Sequence, residues 1–449
     1  MLSSIILKET IPMAQEAVVT RRRSSTWEQL RTQAHDMTAA FAVLRSRRVG
    51  LSFRAAGESY AALAALDKLE SDTFLFDAHL SLEEMLALAR KLKLGAVLAA
   101  PPGGQSAGFS VHELRGEEKW SGSSTVTILT SGSTGEPKAA RHTWESLSRP
   151  VRKGPDGAAP RWLLTYRPNL YAGLQVMLQC FADRGTLAIP DEDMDPRAMA
   201  QFMCDAGVQF VSATPSFWRR LLIFADSDLL KSAPLVQITL GGEVIDQPLL
   251  DRLKQYFPQV RLAHIYATTE LGRCFSVHDG RAGFPASYLG KVLPDKSELT
   301  IQDGELLVRS ANSMRMYDPH SGQQSLGADW FATGDLVELK EDRVYFVGRR
   351  TDMINVAGSK VYPVEVERVI RVVPGVSDVR VFGKGSSVAG ELVACEIVPA
   401  PGQDPEALKM RVNQVCRSAL SSPQQPRLIK LVDQIGLSAA GKTLRSRTS

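Results

Sequence analysis

The sequence predicts an α/β fold. A large N-terminal domain of parallel α/β sheets carries a small antiparallel, barrel-like sheet, and a small α+β C-terminal domain follows. Three observations predict it. Short β-branched, apolar runs alternate with helical stretches up to Tyr266, as parallel strands joined by crossover helices do. From Ser287 the strand-like runs lie close together, with Asp-Gly and Glu-Asp turns among them, the texture of antiparallel sheet. After Arg350 two helical and two strand-like segments stand as a separate unit ahead of a basic tail.

Taken in order, residues 1–24 carry little pattern, and little regular structure is expected there. Ser25 and Thr26 suit the cap of a helix through Trp27, Leu30, Ala34 and Ala40. Residues 49–53, 73–76, 96–98 and 125–129 read as buried strands, with a helix over 80–92. Strands follow at 162–165, 185–189, 209–212, 236–240 and 261–266. The antiparallel set is 299–301, 305–309, 335–340 and 343–346. The final unit reads as helix 363–372, strands 376–381 and 392–398, and helix 405–418.

The chain has 449 residues, 44% hydrophobic and 23% charged, enough apolar material for a large core. A net charge of +4 is small for this size and suits a small anionic ligand without demanding nucleic acid. Five scattered cysteines without a CxxC pair indicate neither a zinc site nor a disulfide framework, and a reducing cytoplasm fits. No run approaches ~18 uninterrupted apolar residues, so no transmembrane helix is expected. The N-terminus does not read as a signal peptide, because Lys8 and Glu9 break its apolar pieces and Arg21, Arg22 and Arg23 follow them.

The run at 130–138, TSGSTGEPK, holds six Gly, Ser or Thr residues and ends in a lysine. Gly132 and Gly135 let backbone N–H groups face a ligand. With the hydroxyls of Thr130, Ser131, Ser133 and Thr134 and the ammonium of Lys138, they make a cradle for a polyphosphate at the end of a strand. The spacing is not that of a P-loop. Taken alone, the run also reads as a flexible turn.

This run resembles the phosphate loop of the adenylate-forming superfamily, which includes acyl-CoA synthetases, nonribosomal adenylation domains and luciferases. The rest of the family pattern follows in order. Tyr266, Ala267, Thr268, Thr269 and Glu270 resemble its YGxTE element, and Thr333-Gly334-Asp335 its TGD element. Gly348-Arg349 with Thr351 and Asp352 resembles its hinge, followed by Gly358 and residues 362–367. Gly441-Lys442 resembles the segment carrying its mobile lysine. Ala267 stands where the family has Gly, Thr351 where many relatives have Asp or Lys, and no proline precedes Lys442. The N-terminal part is short for the family.

The resemblance implies two half-reactions. A carboxylate attacks the α-phosphate of ATP to give an acyl-adenylate and pyrophosphate, and a thiol then displaces AMP. It implies that Lys138 and the loop hydroxyls hold the β- and γ-phosphates, Glu270 ligates Mg²⁺ and Thr269 reaches the α-phosphate. Gly241, Gly242 and Glu243 would form the adenine turn and Tyr266 would stack on the base. Asp335 would take the ribose hydroxyls, with Arg349 beside it. Lys442 would stabilise charge in the first half-reaction. Each has an ordinary alternative: a surface glutamate, a Gly-Gly turn, a core tyrosine, a turn aspartate, a disordered tail.

The same resemblance divides the chain into residues 1–350, which bind ATP and acid, and a mobile lid of 351–449 hinged at Thr351 and Asp352. It puts the acid pocket at Tyr171, Gly173, Thr214 and Phe217, apolar in character. Asn169 lies where amino-acid-activating relatives carry an aspartate, so an α-amino acid is disfavoured. Gly358 would line the thiol tunnel. The acceptor is CoA, or the phosphopantetheine of a separate carrier protein. Luciferase-like oxidation shares the first half-reaction, and a non-catalytic nucleotide-binding relative is the remaining alternative.

Overall fold

The computed structural model describes residues 2–8, 14–101, 108–131, 137–154, 159–321, 330–386, 390–438 and 441–443. Two large sheets dominate, one mainly parallel and one mixed, with three parallel and three antiparallel pairings. One runs in the order Gly272–Val277, Arg261–Thr268, Gln237–Leu240, Phe210–Ala213, Arg161–Leu164, Thr186–Ala188, Glu16–Val19, Ser24–Thr26. Its six central strands are parallel, and an antiparallel strand closes each edge. The other runs Met316–Tyr317, Pro137–Thr143, Thr125–Ser131, Asp72–Asp77, Arg48–Phe53, Ala96–Ala99, Ser110–Glu113.

The crossover helices start where the side chains dictate. Asp195, Thr214 and Asp246 each cap a helix whose first turn holds a proline. The missing proline N–H costs nothing there. Packing between the layers buries Trp27, Tyr60, Phe181 and Trp218. The N-terminal segment departs from expectation. Residues Leu2–Ile6 form a helix whose Leu2 and Ile6 are fully buried, and Glu16–Val19 is a strand of the large sheet. Neither segment is long enough to show a period.

An antiparallel sheet follows: Phe284–Pro285, Arg343–Arg349, Phe331–Lys340, Glu305–Ser310, Ser297–Gln302. The 3₁₀ turn Arg350–Asp352 leads from it to a second small sheet. There Ser359–Val361, Ile354–Val356, Gly390–Pro399 and Val376–Ser386 are antiparallel, and Leu428–Leu431 adds a parallel strand. Helices Pro363–Arg371 and Pro405–Ala419 pack on it around Val366, Ile370, Leu408 and Val412, a core of its own. Among the described residues no helix is long and apolar enough to cross a membrane.

A buried charge cluster ties the smaller of the two large sheets to the segment after Met316–Tyr317. Arg48 and Arg141 each pair with both Asp72 and Asp318, and Thr125 donates to Asp72 at 2.7 Å. Glu118, half exposed, also pairs with Arg48 at 2.7 Å, so the two arginines face two buried carboxylates and one at the surface.

Candidate active site

Strands Thr125–Ser131 and Pro137–Thr143 form a hairpin, with Thr130 opposite Lys138 and Ser131 opposite Pro137. The phosphate-loop candidates Gly132, Ser133, Thr134 and Gly135 lie outside the described residues, and of Ser131 only the backbone is described. Lys138 Nζ stands 6.0 Å from the centre of the Tyr317 ring. The Tyr317 hydroxyl donates to Glu270 Oε1 at 3.1 Å, so one side chain links the hairpin lysine to the metal-ligand candidate.

Thr269 and Glu270 sit in a three-residue hairpin loop, because Thr268 pairs with Gly272. Gly272 has a φ of +69°, and a Cβ there would meet Asn312 O at 2.8 Å and Tyr171 Oη at 3.0 Å. The loop is therefore closed by the one residue type that fits. Thr268 Oγ1 accepts the Leu271 N–H at 3.0 Å. From behind, buried His142 Nε2 donates to Thr269 O at 2.7 Å, and Met314 N donates to Glu270 O at 2.7 Å. Burial pushes His142 down to about 4. The ring is therefore neutral near pH 7, with its proton on Nε2 and Nδ1 facing Ser146 Oγ at 3.3 Å.

Asp335 is aimed by a break in the ladder. Leu307 faces Ala332 while Glu305 faces Leu336, so residues 333–335 bulge, with Gly334 at φ +74°. Asp335 Oδ1 accepts from Arg349 Nε, its cross-strand neighbour, at 2.9 Å. Oδ2 accepts from the Tyr266 hydroxyl at 2.5 Å. Asp335 raises Arg349 above its ordinary value, and burial does the same to Tyr266. The Tyr266 ring stacks against Phe275 and Phe346, with centroids at 5.4 and 5.2 Å. Tyr266, Asp335 and Arg349 thus form one hydrogen-bonded group.

Lys442 reaches the same cleft from the chain's far end. A Cβ on Gly242, whose φ is +85°, would stand 3.2 Å from Lys442 Cε. The tail makes a tight turn: Gly441 N donates to Ser438 O at 2.9 Å and Ser438 N to Lys442 O at 2.7 Å. Thr214 Oγ1 donates to Gly441 O at 2.9 Å, and Thr443 N donates to Glu243 Oε1 at 2.6 Å. Burial lowers the Lys442 ammonium, and Arg349 pushes the same way. Glu243, Asp335 and Glu270 oppose them.

Tyr171 is buried, with its ring 5.6 Å from His142. A Cβ on Gly173 would meet Arg167 O at 2.2 Å, so this glycine serves close packing of helix Tyr171–Ala182. Thr214 caps helix Pro215–Phe224, and Phe217 lies edge-on to Trp218. Gly358 shares a two-residue turn with Ala357, donates from N to Asn355 Oδ1 at 2.9 Å, and would carry a Cβ into open space. Thr351 and Asp352 occupy the 3₁₀ turn between the two small sheets. No sequence motif marks Tyr317. His142 lies four residues beyond Lys138, where strand alternation puts both on one face, a signal open to use.

A body of two large sheets, an antiparallel sheet and a small α+β unit meeting at a polar cleft is the architecture of adenylate-forming enzymes. The chain belongs to the AMP-binding enzyme family: that family's model matches residues 10–318, and the model of the AMP-binding enzyme C-terminal domain matches residues 365–442. A 2-succinylbenzoate–CoA ligase of Listeria innocua is 26% identical over 338 residues, 73% of this chain and 70% of that protein. One of Lactococcus lactis is 25% identical over 459 residues, covering 94% and 95%. The anthranilate CoA ligase AuaEII, solved with anthranoyl-AMP, has a TM-score of 0.78 at 18% identity, covering 98% of this chain and 95% of that one.

Proposed function

We propose that this enzyme joins a carboxylic acid to CoA at the expense of ATP, through an acyl-adenylate. One observation carries the reading: Lys442 is seated on Gly242, near enough for the charges of Arg349, Asp335 and Glu270 to act on its ammonium, although these residues span much of the chain. The chemistry needs that convergence. Two anions must be brought together, and positioned positive charge is what lowers the barrier to phosphoryl transfer.

On this reading Lys138 and the phosphate loop hold the β- and γ-phosphates. Asp335 takes the ribose hydroxyls with two oxygens, and Arg349 pairs with it. Gly241 and Tyr266 flank the adenosine, beside Ala267 and Thr268. Thr269 faces the α-phosphate. Glu270 Oε1 is engaged by Tyr317, which leaves Oε2 for Mg²⁺. Among the described residues no three His, Cys, Asp or Glu side chains cluster as a metal site. A metal held here rests on one carboxylate together with phosphate oxygens and water, as Mg²⁺ commonly is. Bound there, it supplies charge neutralisation to the phosphates. Lys442 places its ammonium where the carboxylate oxygen meets the α-phosphorus.

For the second half-reaction, the lid of residues 351–449 turns about Thr351 and Asp352 and brings the Gly358 turn to the cleft for the thiol. The acid is apolar or aromatic, held near Tyr171 and Phe217. CoA is favoured over a carrier protein because the relatives described above are CoA ligases. All five cysteines are free thiols, in keeping with a cytoplasmic setting.

The experiment is pyrophosphate release from ATP and Mg²⁺ across short, long, aryl and amino acids, with and without CoA. Release with one acid class and acyl-CoA as product supports the reading. Acyl-adenylate without any use of CoA, followed by loading of a carrier protein, moves it to the carrier. Silence across the panel, with ATP still bound, refutes it.

A further inference from the structure

The Gly241-Gly242-Glu243 turn does more in this structure than border a nucleotide. The Glu243 carboxylate accepts three donors. Oε2 takes the Ser216 N–H at 2.9 Å, and Oε1 takes the Ser216 hydroxyl at 2.9 Å and the Thr443 N–H at 2.6 Å. The first two belong to the start of helix Pro215–Phe224, an ordinary place for an acidic group. The third belongs to the residue after Lys442. Gly242 alongside leaves room for the lysine stem, and Thr214 holds Gly441 O. Ser216 Oγ lies 3.1 Å from Thr443 Oγ1.

We propose that Glu243 is a positioning residue for adenylation: its carboxylate docks the lysine-bearing tail by accepting the Thr443 N–H, and so sets Lys442 in the cleft. This rests on the function proposed above and adds a role for Glu243 other than contact with ATP. The contact is suited to a part that must come and go. When the tail leaves, Glu243 keeps both Ser216 donors and the Thr443 N–H passes to water, so no buried charge is orphaned. What the docked state gains is one charge-assisted hydrogen bond, worth about 10- to 100-fold in population of the docked tail.

The test compares Glu243→Ala and Thr443→Pro in the full chain. Thr443→Pro deletes the donor from the tail and leaves the body untouched, so it decides the matter where Glu243→Ala fails to fold. Each variant is expected to slow pyrophosphate release by about 10- to 100-fold. In Thr443→Pro, KM for ATP should stay unchanged, as should transfer to CoA from supplied acyl-adenylate. Trypsin should cut faster after Lys442 in Glu243→Ala; Thr443→Pro makes a Lys-Pro bond that trypsin does not cut, so there the freed tail is read as faster hydrogen exchange at Lys442 N. The double variant should lose no more than the worse single one, because both remove one contact. In Thr443→Pro, a raised KM for ATP with unchanged turnover and unchanged exchange at Lys442 N overturns the proposal, as do fully additive losses in the double variant. A wild-type protein that releases no pyrophosphate with any acid defeats the proposed function instead. Tail cleavage is read without substrate and still decides whether Glu243 docks the tail.

Discussion

Replacing Lys442 with alanine removes the ammonium and leaves its anchors in place. The tail is held by backbone atoms, Thr443 N on Glu243 and Gly441 O on Thr214. Stability should therefore change by no more than about 0.5 kcal/mol. Adenylation loses one preorganised donor aimed at developing charge, which costs about 10²–10³-fold, or ~2.7–4 kcal/mol. Thiolation of supplied acyl-adenylate should keep its rate. Single-turnover assays of the two half-reactions give the ratio directly, and equal loss of both refutes the assignment. The pH profile adds an independent check. Burial, with Arg349, lowers the Lys442 pKa, and the reaction needs the protonated form. Activity in kcat/KM should be full near neutrality and fall as pH rises through that lowered value, earlier than an ordinary lysine would allow. Bound phosphate restores the ammonium, so the alkaline limb of kcat should lie higher than that of kcat/KM. Superimposed limbs count against the lysine.

Asp318→Asn should leave Arg48 and Arg141 with one buried carboxylate between them. Breaking such a balance costs about 3–5 kcal/mol, seen as a fall of roughly 4–7 °C in thermal unfolding for a body of this size, and a shift under ~2 °C would mean the cluster relaxes freely. Gly242→Ala adds a Cβ at φ +85°, 3.2 Å from Lys442 Cε. It should cost about 1 kcal/mol of stability and slow adenylation more than thiolation, and half-reaction rates that fall together would contradict this. Asp335→Asn should raise KM for ATP about tenfold, with turnover nearly kept, because it weakens charge-assisted hydrogen bonds. A loss confined to kcat would show that Asp335 does not hold the ribose.

The sequence was most legible where one local signal decides the structure. The helix capped at Thr26, the strand before the phosphate loop and the helices opening on Pro363 and Pro405 fall in that class. The bulge at 333–335 was not visible, yet Gly334 in the left-handed region is its physical cause. The N-terminal helix and strand were missed because their length hides any period and their order comes from burial of Leu2, Ile6 and Val18 by later parts of the chain. The partners Tyr317 and His142 were missed for a related reason. Each acts on a loop more than forty residues away in sequence, through one hydrogen bond that no motif announces.

On the function proposed above, the contact between the C-terminal unit and the body suits a part that moves. Asp246 caps helix Gln247–Tyr256 and pairs with Arg219 at 2.8 Å and with Arg371 of the lid at 3.3 Å. Burial raises its carboxyl, but the two arginines outweigh burial and hold it below its ordinary value. Arg371 also pairs with Glu367 and Asp378 in the lid. If the lid turns away, Asp246 keeps Arg219 and its cap, and Arg371 keeps its two carboxylates. A lone buried pair would cost about 3–5 kcal/mol to break and would lock the domains together. Here each charge has a second partner on its own side, so the closed arrangement is specific without being permanent. Glu243 follows the same rule with Ser216 and Thr443. An enzyme that must present Lys442 in one half-reaction and the Gly358 turn in the next needs contacts of this kind. Adding a second lid arginine against Asp246 would, by the same logic, favour adenylation and slow the thiol step.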